Sequence, residues 1–372
     1  MPNTTYAAGV NLNLAATPLV KEEEDPILYQ ELSDLHGAIE NLAGETIVKD
    51  YFQEVAAGRV PGSAAFQVNA VNPDIDSGSG FEVIWDGGGT YIPPTAARVH
   101  DIVSTSILDV GTVVSSGTIT ATAPLKLVDS SATFLTDGVL PGQHILNDTA
   151  SSISFVLSVD SETEITLFLE AIDPDSLQTT GLFLAGEDYR IVKEGSTGAA
   201  YVSVNGLDAG GAAVTEMVLL NGTTNVPTVN SYLRQFRLRA FAPVTTGTAG
   251  IITSTAQTDG TVSAQINLGN NQSQSSAYRV PEGTVAYLHQ WWGSLANKVS
   301  ANSNIKLMAG NLLGFQYIIQ SRALDSTGSS EFHYEPSLPL RFVAGTDVWV
   351  EADSNVNNLA VASGACLIIE DI

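Results

Sequence analysis

The chain contains one cysteine, Cys366, in 372 residues. No disulfide can form within it and no thiolate metal site can assemble, so its stability must come from packing. The flanking Ala365, Leu367 and Ile368 point to a buried, inert thiol. Basic residues are scarce as well: 15 Lys and Arg stand against 40 Asp and Glu, a net charge of −25. Phosphate backbones are bound through Lys and Arg, so direct contact with nucleic acid is not expected. The nearest approach to a basic patch is Arg234, Arg237 and Arg239. On a strand, Arg237 and Arg239 share a face and Arg234 takes the other, which suggests pairing with carboxylates. Long apolar runs are missing too. None approaches the roughly 18 residues of a membrane span. The opening MPNTTYAAGVNLNL lacks the basic start and apolar core of a secretory leader.

Chemical signatures are equally sparse. There is no G-x-S-x-G elbow, no H-E-x-x-H zinc pair and no phosphate-binding loop, and the histidines (His36, His100, His144, His289, His333) are scattered. No fixed-period repeat of the kind found in β-helical depolymerases appears. An enzyme is therefore not expected, nor is a cofactor. The best metal candidate is Asn72-Pro73-Asp74-Ile75-Asp76-Ser77-Gly78, which places oxygens at alternate positions like the start of a calcium loop. It has Ser77 where that loop needs Gly and Val83 where it needs a closing Glu, so a plain Asx-rich turn is the expectation. Asp160, Glu162 and Glu164 share one parity and read as a solvated hairpin tip.

What the chain does have is apolar residues, at 44%, with only 15% charged. Gly, Ser, Thr, Ala and Asn fill the difference. That is the composition of turn-rich β structure rather than of disorder. One helix stands apart. Asp25-Pro26 opens it, Gly44 closes it, and Leu28, Leu32, Leu35, Ile39 and Leu42 follow at spacings of 4, 3, 4 and 3. This seam suits packing against another helix or a partner. The simpler alternative is that it packs on the chain's own β region. An extended arm over 1–24 precedes it, too polar to fold alone, and a second amphipathic stretch follows near Ile47–Ala57.

The rest reads as strand and turn, so the predicted fold is mainly β, with residues 1–62 as arm and helical anchor. Residues 63–109 plus 196–372 are expected to form a β-sandwich of jelly-roll type, punctuated by turns such as Asn221-Gly222, Asp259-Gly260 and Pro281-Glu282-Gly283. Residues 110–195 form an inserted small β-barrel or sandwich. Its clearest signal is a hairpin, Ser152–Val159 and Glu164–Glu170, around the turn Asp160–Thr163. Trp291 and Trp292 are adjacent on a strand, so at least one faces away from the core, available to a subunit interface or a sugar. Trp349, between Val348 and Val350, alternates in the same way.

Three segments carry a resemblance: the helix start Asp25-Pro26-Ile27-Leu28-Tyr29-Gln30-Glu31-Leu32, the turn Leu220–Val226, and Gly269-Asn270-Asn271-Gln272-Ser273 with Tyr278-Arg279-Val280-Pro281-Glu282-Gly283. The layout resembles structural proteins of tailed-bacteriophage virions, over most of the chain and on turns and caps rather than catalytic signatures. The resemblance implies assembly into the particle as head decoration or tail or neck appendage. It implies capsid, portal, adaptor or tail proteins as partners, and a homotrimer. The competing expectation is a tail fibre or spike whose β domain recognises a host-surface glycan.

Overall fold

The computed structural model describes residues 4–5, 11–12, 51–174, 179–193, 198–241, 247–296 and 300–372. The seam Leu28, Leu32, Leu35, Ile39 and Leu42 lies outside the described residues, as does His36. Two compact units are present, 1–60 and 61–372. In the first, Thr4–Thr5 pairs antiparallel with Asn11–Leu12. A short helix covers Tyr51–Ala56, inside the second amphipathic stretch. Its end is fastened by Arg59, whose guanidinium grips the Glu54 carboxylate at 2.7 Å through two nitrogens.

The second unit is built on a jelly roll. Its strands are β1 (Ser63–Ile75), β2 (Glu82–Val83, resumed at Tyr278–Arg279), β3 (Thr284–Leu295), β4 (Asn302–Gly310), β5 (Gln316–Asp325), β6 (Glu331–Tyr334 and Leu340–Val343), β7 (Asp347–Ala352) and β8 (Leu359–Asp371). One sheet has the order β1-β8-β3-β6 and the other β2-β7-β4-β5. The eight strands thus match first with last, inward to the β4–β5 hairpin. This is the pairing of a long antiparallel ribbon rolled upon itself. The mainly β, jelly-roll expectation is met. Between the sheets lie Ile75, Leu288, Trp291, Ile305, Leu307, Val350, Leu359 and Leu367. Leu288 and Trp291 are an odd number of residues apart, yet both face this core. A bulge at His289, where pairing jumps from Leu288↔Leu367 to Gln290↔Cys366, resets the alternation.

β2 is interrupted. The chain leaves it at Ile84 and returns at Ser276, whose amide donates to the Ile84 carbonyl at 2.9 Å. The excursion builds a second sheet pair. Ala213–Leu219, Tyr201–Leu207 and Arg234–Phe241 form one sheet; Val226–Pro227, His100–Ser104, Ile252–Ala256 and Val262–Ile266 form the other. Ile102, Val202, Val204, Leu238, Ile252 and Ile266 are buried between them. Where the sequence suggested one sandwich over 63–109 plus 196–372, there are two, each with its own core. Strands of the two alternate identically, so alternation alone cannot sort them.

A further excursion lies inside that one. Among the described residues, nine strands between Thr112 and Lys193 pair only with one another. Their sheet curls closed where Thr112–Thr118 runs on into Ala121–Ala123: the Ile119 amide donates to the Glu187 carbonyl and the Thr120 amide to that of Val128, both at 2.8 Å. The resulting small barrel encloses Leu127, Phe134, Ile145, Ile165, Leu167, Phe183 and Tyr189. The hairpin pairs Val156 with Leu167 and Val159 with Ile165, with a bulge at Leu157. Leu146, Ile153 and Val192 pack outward against Ala200, Tyr201 and Met217 of the second sandwich.

Candidate functional site

Trp291 and Trp349 do not form a recognition surface. Trp291 is fully buried, 4.5 Å from the Phe332 ring, with its indole nitrogen donating to Ser363 Oγ at 3.2 Å. Trp349 is 1% exposed and packs with Val83, Trp85, Tyr91 and Met308. Both faces of β7 are therefore buried, the inner by the jelly-roll core and the outer by the start of the excursion. Trp291 and Trp349 are thereby corrected as interface or ligand aromatics: each is spent on a core within the chain. Trp292 does take the opposite face from Trp291, half-buried, lying over Gly364.

Charged groups are committed in a similar way. Asp347, fully buried at the start of β7, receives Arg234 Nε at 3.2 Å, Arg279 Nη1 at 3.2 Å and the Leu312 amide at 3.0 Å. Arg234 comes from the second sandwich and Arg279 from the resumed β2, so this triad pins the two together. Arg237 donates to the Gln67 carbonyl and lies over the Phe66 ring at 5.0 Å; Arg239 donates to the Pro174 carbonyl. Arg234 makes the carboxylate pair the sequence led us to expect.

Asp109 is a second hub. Its carboxylate accepts the amides of Ala199, Ala249 and Gly250 at 2.7–2.9 Å and the Ser104 hydroxyl at 2.5 Å. It thus knots four segments at the root of the barrel. Asp86 sits where the chain leaves the jelly roll. It accepts the Gln274 amide of the returning strand at 2.7 Å, and burial pushes its carboxyl up to about 7. Neither residue is marked by any motif. The one local signal is the Gly87-Gly88-Gly89 run after Asp86, which marks a turn but not the carboxylate's burial.

The histidines and hairpin acids are equally occupied. His100 is held between the Arg98 carbonyl (2.9 Å) and Ser263 Oγ (2.7 Å). His144 meets the Tyr201 hydroxyl at 2.8 Å among Phe155 and Phe241, and burial lowers its pKa to about 4. Lys126 bridges Asp160 (2.6 Å) and Glu164 (2.8 Å), while Glu162 accepts the Leu135 and Thr136 amides that open the Phe134–Asp137 turn of helix. The hairpin tip is therefore tied down rather than freely solvated. At Asn72–Gly78, Asn72 Oδ1 accepts the Asp74 amide at 2.9 Å, the expected Asx turn, and Asp76 accepts the Asn358 amide. Among the described residues no group of three or more His, Cys, Asp or Glu could hold a metal ion.

A depression of about 400 Å³ lies where β4 begins, β5 ends and β7 exits. Asn302, Asn304, Asp325, Asp353 and Asn355 line it. Their polar atoms largely serve their own loops: Asp353 accepts the Asn304 amide at 2.7 Å, and Asn355 that of Asn302 at 2.6 Å. No aromatic ring lines it. Among the described residues no helix is long and apolar enough to cross a membrane.

No known protein family matches this sequence, and no curated protein does. Among solved structures, that of infectious bursal disease virus Gx strain is 10% identical, covering 76% of this chain and 75% of that one, with a TM-score of 0.17. The Gt strain structure is 7% identical over 86% and 78%, with a TM-score of 0.16. Overlaps this low carry no argument about function.

Proposed function

We propose that the chain is a non-enzymatic structural component of a tailed-phage virion. Residues 1–62 attach it to the particle, and the β domains are displayed on the outer surface of head or tail as a homotrimer. Its partners in this reading are capsid, portal or adaptor, or tail proteins. The supporting observation is the use of the buried polar groups. Asp347, Asp109, His100 and His144 are all buried and hold segments of the fold together. A jelly roll carrying nested excursions, with its charges spent on internal joints, suits a building block. Recognition of a host glycan is less well supported, because Trp291 and Trp349 are unavailable for stacking.

The test is incorporation. Leu35→Asp with Ile39→Asp places two charges on the apolar seam, where an unpaired buried charge is costly. The purified variant should keep its melting transition and be missing from assembled particles. Normal incorporation overturns the anchor. Loss of folding would instead assign the helix to the β region's own core. Particle mass spectrometry separates head decoration, at hundreds of copies, from a tail or neck component at far fewer.

A further inference from the structure

The two flanks of the jelly roll differ. On the β1–β2 flank the second sandwich is docked, through Arg237 on the Gln67 carbonyl and Arg234 on Asp347. On the opposite flank β5 and β6 end their sheets, and no described strand pairs with the outer edge of β5. Arg322 of β5 lies over the Tyr334 ring of β6 at 5.4 Å, so the two edges form one surface. That surface is apolar and uncovered: Phe315 is 79% exposed, Ile318 53% and Leu338 78%, with Tyr317 and Val343 also exposed. An open edge strand with bare Tyr, Ile and Phe side chains is what soluble proteins ordinarily avoid by placing charges there.

Charge gives this flank its occupant. The chain has 40 acidic residues, yet none occurs from Gly283 to Leu324, a stretch that includes all of β5 up to its penultimate residue. Two molecules each carrying −25 repel wherever their acidic surfaces face one another. The β5 edge, acid-free as far as Asp325 although β6 carries Glu331 and Glu335 follows it, is where that repulsion is smallest, and depletion of charge is the mark of an interface core. Two such edges can also satisfy each other's unpaired backbone groups by strand addition. We infer that the β5–β6 flank is covered by a second copy of this chain, with Phe315, Tyr317, Ile318 and Leu338 buried in the contact. This rests on the self-assembly proposed above but not on its stoichiometry.

Light scattering on the full-length chain tests it, using wild type and Ile318→Glu, which puts an acid into the acid-free edge. Wild type should run as an oligomer, and the variant should fall to the 39.0 kDa of one chain with an unchanged melting temperature. Amides of Gln316–Asp325 should exchange hydrogen at least tenfold more slowly in wild type than in the variant. A monomeric wild type would overturn both this inference and the self-assembly reading. An oligomer that survives Ile318→Glu, with no difference in exchange over β5, would overturn the inference alone.

Discussion

At the scale of single residues, two buried carboxylates give opposite expectations. Asp347 is ionically matched, so removing it strands Arg234, itself only 5% exposed. Asp347→Ala should cost about 3–5 kcal/mol, the usual penalty for a buried charge left without its partner. Chemical denaturation would reveal it, and a loss below about 1 kcal/mol, typical of exposed pairs, would show that the triad holds nothing together. Among the described residues Asp86 meets the Gln274 amide and Asn267 rather than a cation, and burial raises its pKa from 3.8 to about 7. A raised carboxyl means the folded state binds the extra proton. Its stability contribution is therefore unfavourable in full above pH 7, shrinks as pH falls, and vanishes below 3.8. Asp86→Asn should be more stable than wild type at pH 8, by an amount on the order of 3 kcal/mol, with the gap narrowing steadily as pH falls toward 3.8. A gap that does not change with pH would mean the carboxyl titrates normally. His144 works in the other direction. Its pKa of about 4 makes the unfolded chain the better proton binder between 6.5 and 4, so its contribution falls with acid in both proteins and cancels in the comparison.

At the scale of elements, much was legible. Alternation and turns gave the strands and the hairpin that begins at Ser152, because these depend on neighbours in sequence. Opposite facing of Trp291 and Trp292 followed from the two-residue period alone. What covers each face did not. Trp349 sits on an outward face that became a core only because Trp85 and Tyr91, far away in sequence, fold over it. The joints at Asp109 and Asp347 were hidden for the same reason, since an acid in a strand looks the same whether it faces water or an arginine. Gly364 shows how tight such a face can be. A Cβ there would lie 2.5 Å from the Trp292 ring. Gly364→Ala should cost about 1–3 kcal/mol through overpacking, and adding Trp292→Leu should recover most of it. If the double variant is no better than the single, the glycine matters for its backbone instead.

At the scale of the whole molecule, the excursions are nested and each has its own core. The barrel's ends are adjacent, since Thr112 pairs with Lys193 across one ladder. Replacing residues 112–193 with a short Gly-Ser link should therefore leave a soluble protein with a cooperative transition. It would uncover Tyr201 and Met217, buried against the barrel in the intact chain, so a modest fall in melting temperature is expected. Calorimetry that finds no transition would show that the barrel supports the second sandwich rather than merely sitting on it.

The interruption of β2 between Val83 and Tyr278 also fixes an order of events during synthesis. β1 emerges early but must wait for β8, its ladder partner, which comes last. Pairings of such sequence separation close slowly, whereas the barrel's strands are all made within one continuous stretch. Both excursions are made before β8, so the jelly roll is expected to close after the barrel and the second sandwich. Until β8 is made, β1 has no ladder partner.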